Sequence, residues 1–315
     1  DPRWLGVLQQ GFGHRPYLLL AFQDNRPVGS LSLALVKSLL FGRFLVSLPY
    51  VNTAGIVSEN PEATAALVDR AVELADELDV KYLELRQEAL LKHSSLSYYS
   101  TTKVNMRLAL PATVEAMWDQ LTAKVRNKVR KGDRQEFTVQ WGGVDLLAEF
   151  YNVFSHNMRD LGTPVFSTRL FEAILTEFPK RAELCVVRAA DRPVSVAILV
   201  HGDGSTEVPS ASSLRSFGSS NVNDWMYWQL LKRAVERGQH TFDFGRTTMD
   251  STTYVFKKKW GSKPVPSYWQ YYVRRGDVTG MRLESGRYDR MIRIWQRLPV
   301  WLTRYIGPPI VRGIP

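Results

Sequence analysis

The residues best placed to do acid–base or anion chemistry lie between positions 240 and 261, HTFDFGRTTMDSTTYVFKKKWG. Phe242 and Phe244 alternate with Asp243 in a short strand pattern that turns at Gly245 into a Ser/Thr-rich stretch. A carboxylate and a guanidinium, Asp243 and Arg246, therefore stand at a strand end beside a polar loop, as at the edge of a site. An aromatic-cationic cluster follows: Tyr254, Phe256, Lys257, Lys258, Lys259 and Trp260. The same residues fit a plainer role, a buried strand whose Asp243 and Arg246 pair with each other, with the lysines facing solvent. Asp243, Asp160 and Glu84 are the candidate proton acceptors. Each has an arginine close in sequence, Arg246, Arg159 and Arg86, that could equally make it a structural ion pair.

Other chemistries find little support. The five histidines show no HxxxH or HxxE spacing and the only cysteine is Cys185, so no metal site is expected. Cys185 sits in an apolar run and reads as a buried, inert thiol in a protein of a reducing compartment. Neither GxSxG nor a Walker A pattern occurs. Lys and Arg outnumber Asp and Glu by 41 to 31, a net +10, which favours anionic partners such as nucleic acid, phosphorylated precursors or an anionic membrane face. No apolar run approaches the roughly 20 residues of a membrane span. The chain opens at Asp1 rather than methionine, and its natural start is expected upstream.

The elements that must position these residues come from a unit used twice. With 315 residues and 44% hydrophobic content, two domains are expected. Residues 16–35 read as two strands around an Asp24-Asn25 turn, and 182–200 repeat the pattern, with Arg26-Pro27-Val28 and Arg192-Pro193-Val194 in the same place. A helix follows in each copy. Asn60 caps the first and Pro61 opens it, with Leu67, Ala71, Leu74 and Leu78 as its apolar stripe; the second runs from about 221 to 237. Both helices carry Arg-Ala-Val-Glu, at 70–73 and 233–236. Each leads to a strand ending in arginine, Arg86 and Arg246. Three correspondences in one order, about 160 residues apart, make the chain a tandem α/β pair.

Between the copies, residues 111–178 read as mostly helical. Met117, Leu121, Val125 and Val129 mark one helix, surrounded by Lys124, Arg126, Lys128, Arg130, Lys131 and Arg134. A further helix spans 145–160, and another short one 169–178. The tail from Arg274 onward carries nine arginines against Asp277, Glu284 and Asp289. Arg290, Arg293, Arg297 and Arg304 fall on one helical face, and Ile294, Trp295, Leu298, Leu302 and Tyr305 on the adjacent one, with a break at Pro299. Such a segment suits a membrane interface, and equally a terminal helix packed on the protein itself.

Over nearly its whole length the chain resembles the Fem family of peptidyltransferases, and within it the FemAB-like proteins of exosortase/PEP-CTERM loci in exopolysaccharide-producing Gram-negative bacteria. The resemblance rests on Leu48-Pro49-Tyr50-Val51-Asn52-Thr53-Ala54-Gly55, the basic run from Lys124 to Lys131, Asn157-Met158-Arg159-Asp160-Leu161-Gly162-Thr163-Pro164, Phe242-Asp243-Phe244-Gly245-Arg246, and Tyr254-Val255-Phe256-Lys257 through Trp260-Gly261. It implies two GNAT-like domains: 1–110 as the first, 111–180 as a helical connection and start of the second, 181–275 as the core of the second, and 276–315 as a basic tail. It also implies transfer of an amino acid from aminoacyl-tRNA to an amine on an envelope or exopolysaccharide precursor, in the cytoplasm or peripherally on the inner membrane, with no bound cofactor. Lys124, Arg126, Arg130 and Arg159 would then meet phosphates. Phe256-Lys257 matches the family's aromatic-lysine pair, so Lys257 would stabilise the oxyanion formed when an amine attacks an ester carbonyl. Arg246, Tyr254, Phe256 and Trp260 would line the substrate, and Asp243 or Asp160 would take the proton. The long coiled-coil arm of the staphylococcal members is missing.

Two other readings stay open. Arg215-Ser216-Phe217-Gly218-Ser219-Ser220 partly matches the (Arg/Gln)-x-x-Gly-x-(Gly/Ala) loop that cradles the pyrophosphate of acyl-CoA, departing from it at Ser220. Alternatively, the basic helix and the Arg/Trp tail would serve a non-catalytic RNA- or membrane-binding module.

Overall fold

The computed structural model describes residues 1–38, 41–276 and 289–314. It opens with helix α1 (Arg3–Phe12), then the hairpin β1 (Arg15–Gln23) and β2 (Arg26–Ser38). Asp24 and Asn25 both take positive φ, 50° and 62°, the left-handed pair that lets a two-residue turn follow the twist of its strands. Strands β3 (Gly42–Val46) and β4 (Val57–Ser58) precede α2 (Pro61–Glu77). The expected start of α2 is present: the Asn60 side chain accepts from the Ala63 amide at 2.8 Å, and Pro61 holds a position that needs no donor. Strands β5 (Tyr82–Gln87), β6 (Tyr98–Ser100) and β7 (Lys103–Ala109) follow.

The basic stretch forms two helices, α3 (Val114–Gln120) and α4 (Ala123–Asp133), rather than one. Leu121 turns extended and the Thr122 hydroxyl caps α4 from the Val125 amide, so the four-residue stripe crosses a break. Next come β8 (Thr138–Gly142), α5 (Leu147–Leu161), α6 (Thr168–Glu177), β9 (Ala182–Ala189), β10 (Arg192–His201) and β11 (Ser205–Ser213). Helix α7 (Val222–Glu236), β12 (Thr241–Thr248), α8 (Thr252–Lys258), β13 (Lys263–Pro266) and β14 (Tyr268–Val273) complete the second copy. The polar stretch after β12 is mostly helix, because the Ser251 hydroxyl caps α8 at the Tyr254 amide. The tail forms α9 (Asp289–Trp295) and α10 (Val300–Val311), separated at Pro299. Asp277, Arg282, Glu284 and Arg287 lie outside the described residues.

Two mixed sheets result, in the orders β1-β2-β3-β5-β14-β6, with β4 also on β2, and β13-β7-β12-β11-β10-β9-β8. The repeat is visible in both. Each has a hairpin (β1–β2, β9–β10), a helix (α2, α7) and one parallel pair, β3 with β5 and β11 with β12. The domain limits drawn from sequence need correction, because each copy gives its last strand to the other. After only Thr101 and Thr102, β7 leaves the first copy and pairs with β12 and β13; after Ser267 alone, β14 leaves the second and pairs with β5 and β6. Strand periodicity records which face is apolar, not which sheet receives the strand.

One core packs α3, α4, α7 and α8 on the second sheet, around Val125, Val129, Trp225 and Leu230. Another lies on that sheet's opposite face, where α1, α5 and α6 bring Val7, Leu8, Phe150, Phe154 and Phe171 together. The N-terminal helix thus serves the second copy. A third core packs α2 on the first sheet through Leu67, Ala71 and Leu74.

Candidate functional site

The segment 48–55, between β3 and β4, joins the copies. Leu48 and Tyr50 hold φ of 43° and 69°, conformations that cost a side-chain-bearing residue and persist only under firm anchoring. Tyr50 stacks on Phe12 at 4.2 Å and donates from its hydroxyl to the Val311 carbonyl. The Asn52 side chain accepts from the Arg246 amide at 3.2 Å, and Thr53 accepts from the Asn105 amide group at 2.7 Å. A Cβ on Gly55 would fall 1.9 Å from the Gln87 side-chain oxygen, so a larger residue there would displace that buried side chain.

This segment is one wall of a cavity of about 480 Å³ between the copies. Leu18, Leu20, Ser30 and Ser32 of the β1–β2 hairpin form a second wall, Trp4 and Phe178 a third, and Val200, His201 and Glu207 the floor. Glu207 reaches it because β11 and β12 pair only from Ser205 to Glu207 against Thr241 to Asp243, beyond which the ladder stops. Burial, with Asp243 adding to it, pushes the Glu207 carboxyl up to about 7; Arg107 opposes the shift. A carboxyl poised near neutrality in a cavity wall can accept and return a proton. Sequence reading missed it. In STEVPS the residue alternates with Thr206 and Val208 as any outward-facing strand residue would, and only the end of the β11–β12 ladder opens its side to a cavity.

Asp243 does not pair with Arg246. Its two oxygens accept from the Gly245 amide at 2.7 Å and from Arg107 Nε at 3.1 Å, and Arg107 also holds Glu88. The two other sequence-adjacent pairs do form: Arg86 Nε donates to Glu84 at 2.7 Å, and Arg159 Nε to Asp160 at 2.6 Å. Asp160 and Arg159 lie at the end of α5, where Arg159 donates to the Leu298 carbonyl and Gln296 to that of Asp160. They dock the C-terminal segment and contribute nothing to the cavity.

Lys257 is 6% exposed, and its ammonium donates to the carbonyls of Gly245 and Arg246, each at 2.9 Å. Burial lowers it to about 8; Asp243 opposes the shift and Arg246 adds to it. Two of its three donors therefore hold the turn of β12 beside Asp243. Tyr254 and Trp260 are corrected from substrate contacts to core. Tyr254 and Lys257 face inward on the short α8, and Trp260 follows in the turn after it, with both rings buried in the core on the second sheet. Phe256 packs edge-on against Tyr227 and under the Lys259 ammonium.

The basic helix α4 lies on the far side of the second copy's core from the 48–55 segment. It packs on α7 and, like α8, supplies no residue to the cavity. Arg126 is spent on the Trp118, Asp119 and Leu121 carbonyls at the end of α3, and Arg130 stacks on Trp118. Lys124 is exposed. At the start of α7, where a CoA pyrophosphate would sit, Asp224 occupies the first turn and binds Lys259 and Lys128. A carboxylate there already takes up the helix dipole and the nearby cations.

Residues 120–258 match the family model described as an acetyltransferase (GNAT) domain. No curated protein sequence matches the chain. Among solved structures it is similar to FemX, at 16% identity and a TM-score of 0.67 over 86% of this chain and 91% of that one. It is similar to the C-terminal domain of a putative lysylphosphatidylglycerol synthetase from Agrobacterium fabrum, at 14% identity and 0.60 over 88% of each. It is also similar to L-PGS from Bacillus licheniformis, at 13% identity and 0.60 over 96% of this chain and 91% of that one. The fold is that of two GNAT-like α/β copies in tandem, and residues 120–258 carry the match to the GNAT domain model.

Proposed function

We propose that the protein transfers an aminoacyl group from aminoacyl-tRNA to an amine of a cell-envelope or exopolysaccharide precursor seated in the cavity between the copies. The observation that carries this reading is Glu207, a near-neutral carboxyl in the cavity wall. The acceptor nitrogen attacks the ester carbonyl, forming the C–N bond, and Glu207 takes the proton that nitrogen sheds. As the C–O bond to the terminal ribose breaks, Glu207 returns the proton to the leaving oxygen. Lys257 and Asp243 position the β12 turn next to Glu207 through Gly245. The fold likeness to FemX and to lysylphosphatidylglycerol synthetases supports an envelope substrate.

A membrane contact belongs to the same reading. One side of α10 is tied to α5 by Arg304, which reaches Ser155 and Asn152, while Trp301 and Tyr305 on the other side are 70% and 79% exposed. Met291 and Ile294 are exposed beside Arg290, Arg293 and Arg297. Among the described residues no helix is long and apolar enough to cross a membrane, so this surface would lie on one.

The test is transfer of label from a mixed pool of charged tRNA to an envelope-precursor extract, with a panel of labelled acyl-CoAs in parallel. Transfer from tRNA that falls about a hundredfold or more in Glu207→Gln is the expected result. Transfer from acyl-CoA alone moves the donor to the runner-up, which the GNAT match favours and Asp224 opposes. No transfer from either leaves the non-catalytic module.

A further inference from the structure

The arginines that end the equivalent strands of the two copies, Arg86 on β5 and Arg246 on β12, meet where the exchanged strands cross. Both lie against the indole of Trp269 on β14, with Cζ at 4.3 and 5.1 Å from its centroid. Arg86 is fully buried, yet its Nη2 has no hydrogen-bond partner; the same is true of Nη1 of Arg246. Buried donors are nearly always paired, and two orphaned guanidinium donors against one indole are a costly arrangement without an acceptor.

Charge points the same way. Lys103, on the strand beside β12, donates to Thr248 at 2.6 Å and sits close enough to Arg246 for the two to repel. Lys257 holds the Arg246 carbonyl. Against these cations stands Glu84, bonded to Arg86, while Asp243 is held by Arg107. Burial, with the neighbouring Arg86 adding to it, lowers Arg246 to about 10; Glu84 opposes the shift. Arg246 and Trp269 are half-buried, as is Lys103 beside them, so the cluster lies near the surface rather than deep in a core.

We infer that Arg86, Arg246 and the Lys103 rim form a binding site for one oxyanion, phosphate or carboxylate, of a ligand that enters at the junction of the two copies. Two guanidiniums converging on one indole offer the forked donors that such groups take up. For the identity of that ligand the inference rests on the transfer reading above, since both charged tRNA and an envelope precursor carry oxyanions. For the site itself it does not.

The experiment is therefore a binding measurement without turnover. Thermal unfolding of the intact chain is followed against sodium phosphate, pyrophosphate, acetate and succinate, with sodium chloride at matched ionic strength. A saturable rise in Tm of a few degrees with a phosphate or a carboxylate, and none with chloride, is expected. The series that saturates at lower concentration names the class. The rise should vanish in Arg246→Gln, shrink in Arg246→Lys, which keeps the charge and guards against loss of fold, and persist in Arg70→Ala on the exposed side of α2. Trp fluorescence should change along the same saturation curve in the native chain and not in Trp269→Phe. Equal shifts with chloride, or a shift unchanged in both Arg246 variants, would overturn the site. Failure of the transfer assay alone would leave it standing.

Discussion

At the scale of the residue, Glu207 shows how burial beside a second carboxylate moves a pKa. Its ordinary value lies near that of any glutamate, and the folded chain raises it to about 7 through burial beside Asp243. The stability consequence has a definite sign. Folding favours the protonated acid, so as pH rises from the unfolded value through 7 the unfolded chain releases its proton first and gains relative to the folded one. Native protein should therefore lose about 1–2 kcal/mol over that window relative to Glu207→Gln, allowing for the part of the side chain that reaches the cavity. Urea midpoints of both proteins at pH 5, 6, 7 and 8 check this; parallel curves would place the carboxyl in water. The ion pairs Glu84–Arg86 and Arg159–Asp160 were legible because their partners are neighbours in sequence. Arg107 with Asp243 was not, since 136 residues separate them and strand exchange alone makes them adjacent.

At the scale of the element, α10 shows a terminal helix serving two surfaces. Its Thr303, Gly307 and Val311 are buried, and a Cβ on Gly307 would fall 2.8 Å from the backbone nitrogen of Val165. Backbone cannot retreat as a flexible side chain can, so Gly307→Ala should weaken the docking by about 1–3 kcal/mol. Faster proteolysis between residues 296 and 312 would report it. In an undocked helix the same change would stabilise by up to about 1 kcal/mol, so slower cleavage would contradict the packing. The amphipathic pattern was readable in sequence. It placed Arg304 with the exposed arginines, however, and the fold turns that residue inward to Ser155 and Asn152 because α10 begins anew after Pro299.

At the scale of the whole molecule, the docked side of α10 leaves Trp301 and Tyr305 pointing outward, with the cations of α9 beside them. Cosedimentation with phosphatidylcholine vesicles containing phosphatidylglycerol should exceed that with phosphatidylcholine alone, decline with salt, and drop at least severalfold in the double variant Trp301→Ala, Tyr305→Ala. Binding indifferent to both changes would remove this surface from the membrane reading. The exchanged strands β7 and β14 tie the copies together, so the cavity and the arginine cluster belong to neither copy alone.

What the sequence determined by itself is everything carried by neighbours along the chain. The tandem α/β repeat, the hairpins with their left-handed turns, the Asn60-Pro61 start of α2 and the break at Pro299 all follow from short-range periodicity, capping and turn chemistry. What the tertiary structure decided is which sheet receives β7 and β14, and with it the partners of Asp243, the burial of Lys257, Tyr254 and Trp260, and the meeting of Arg86 with Arg246. The reason is physical. A strand's pattern of polar and apolar residues states how many of its faces are buried, but the ladder hydrogen bonds that choose its neighbours come from the backbone and are the same for every sequence.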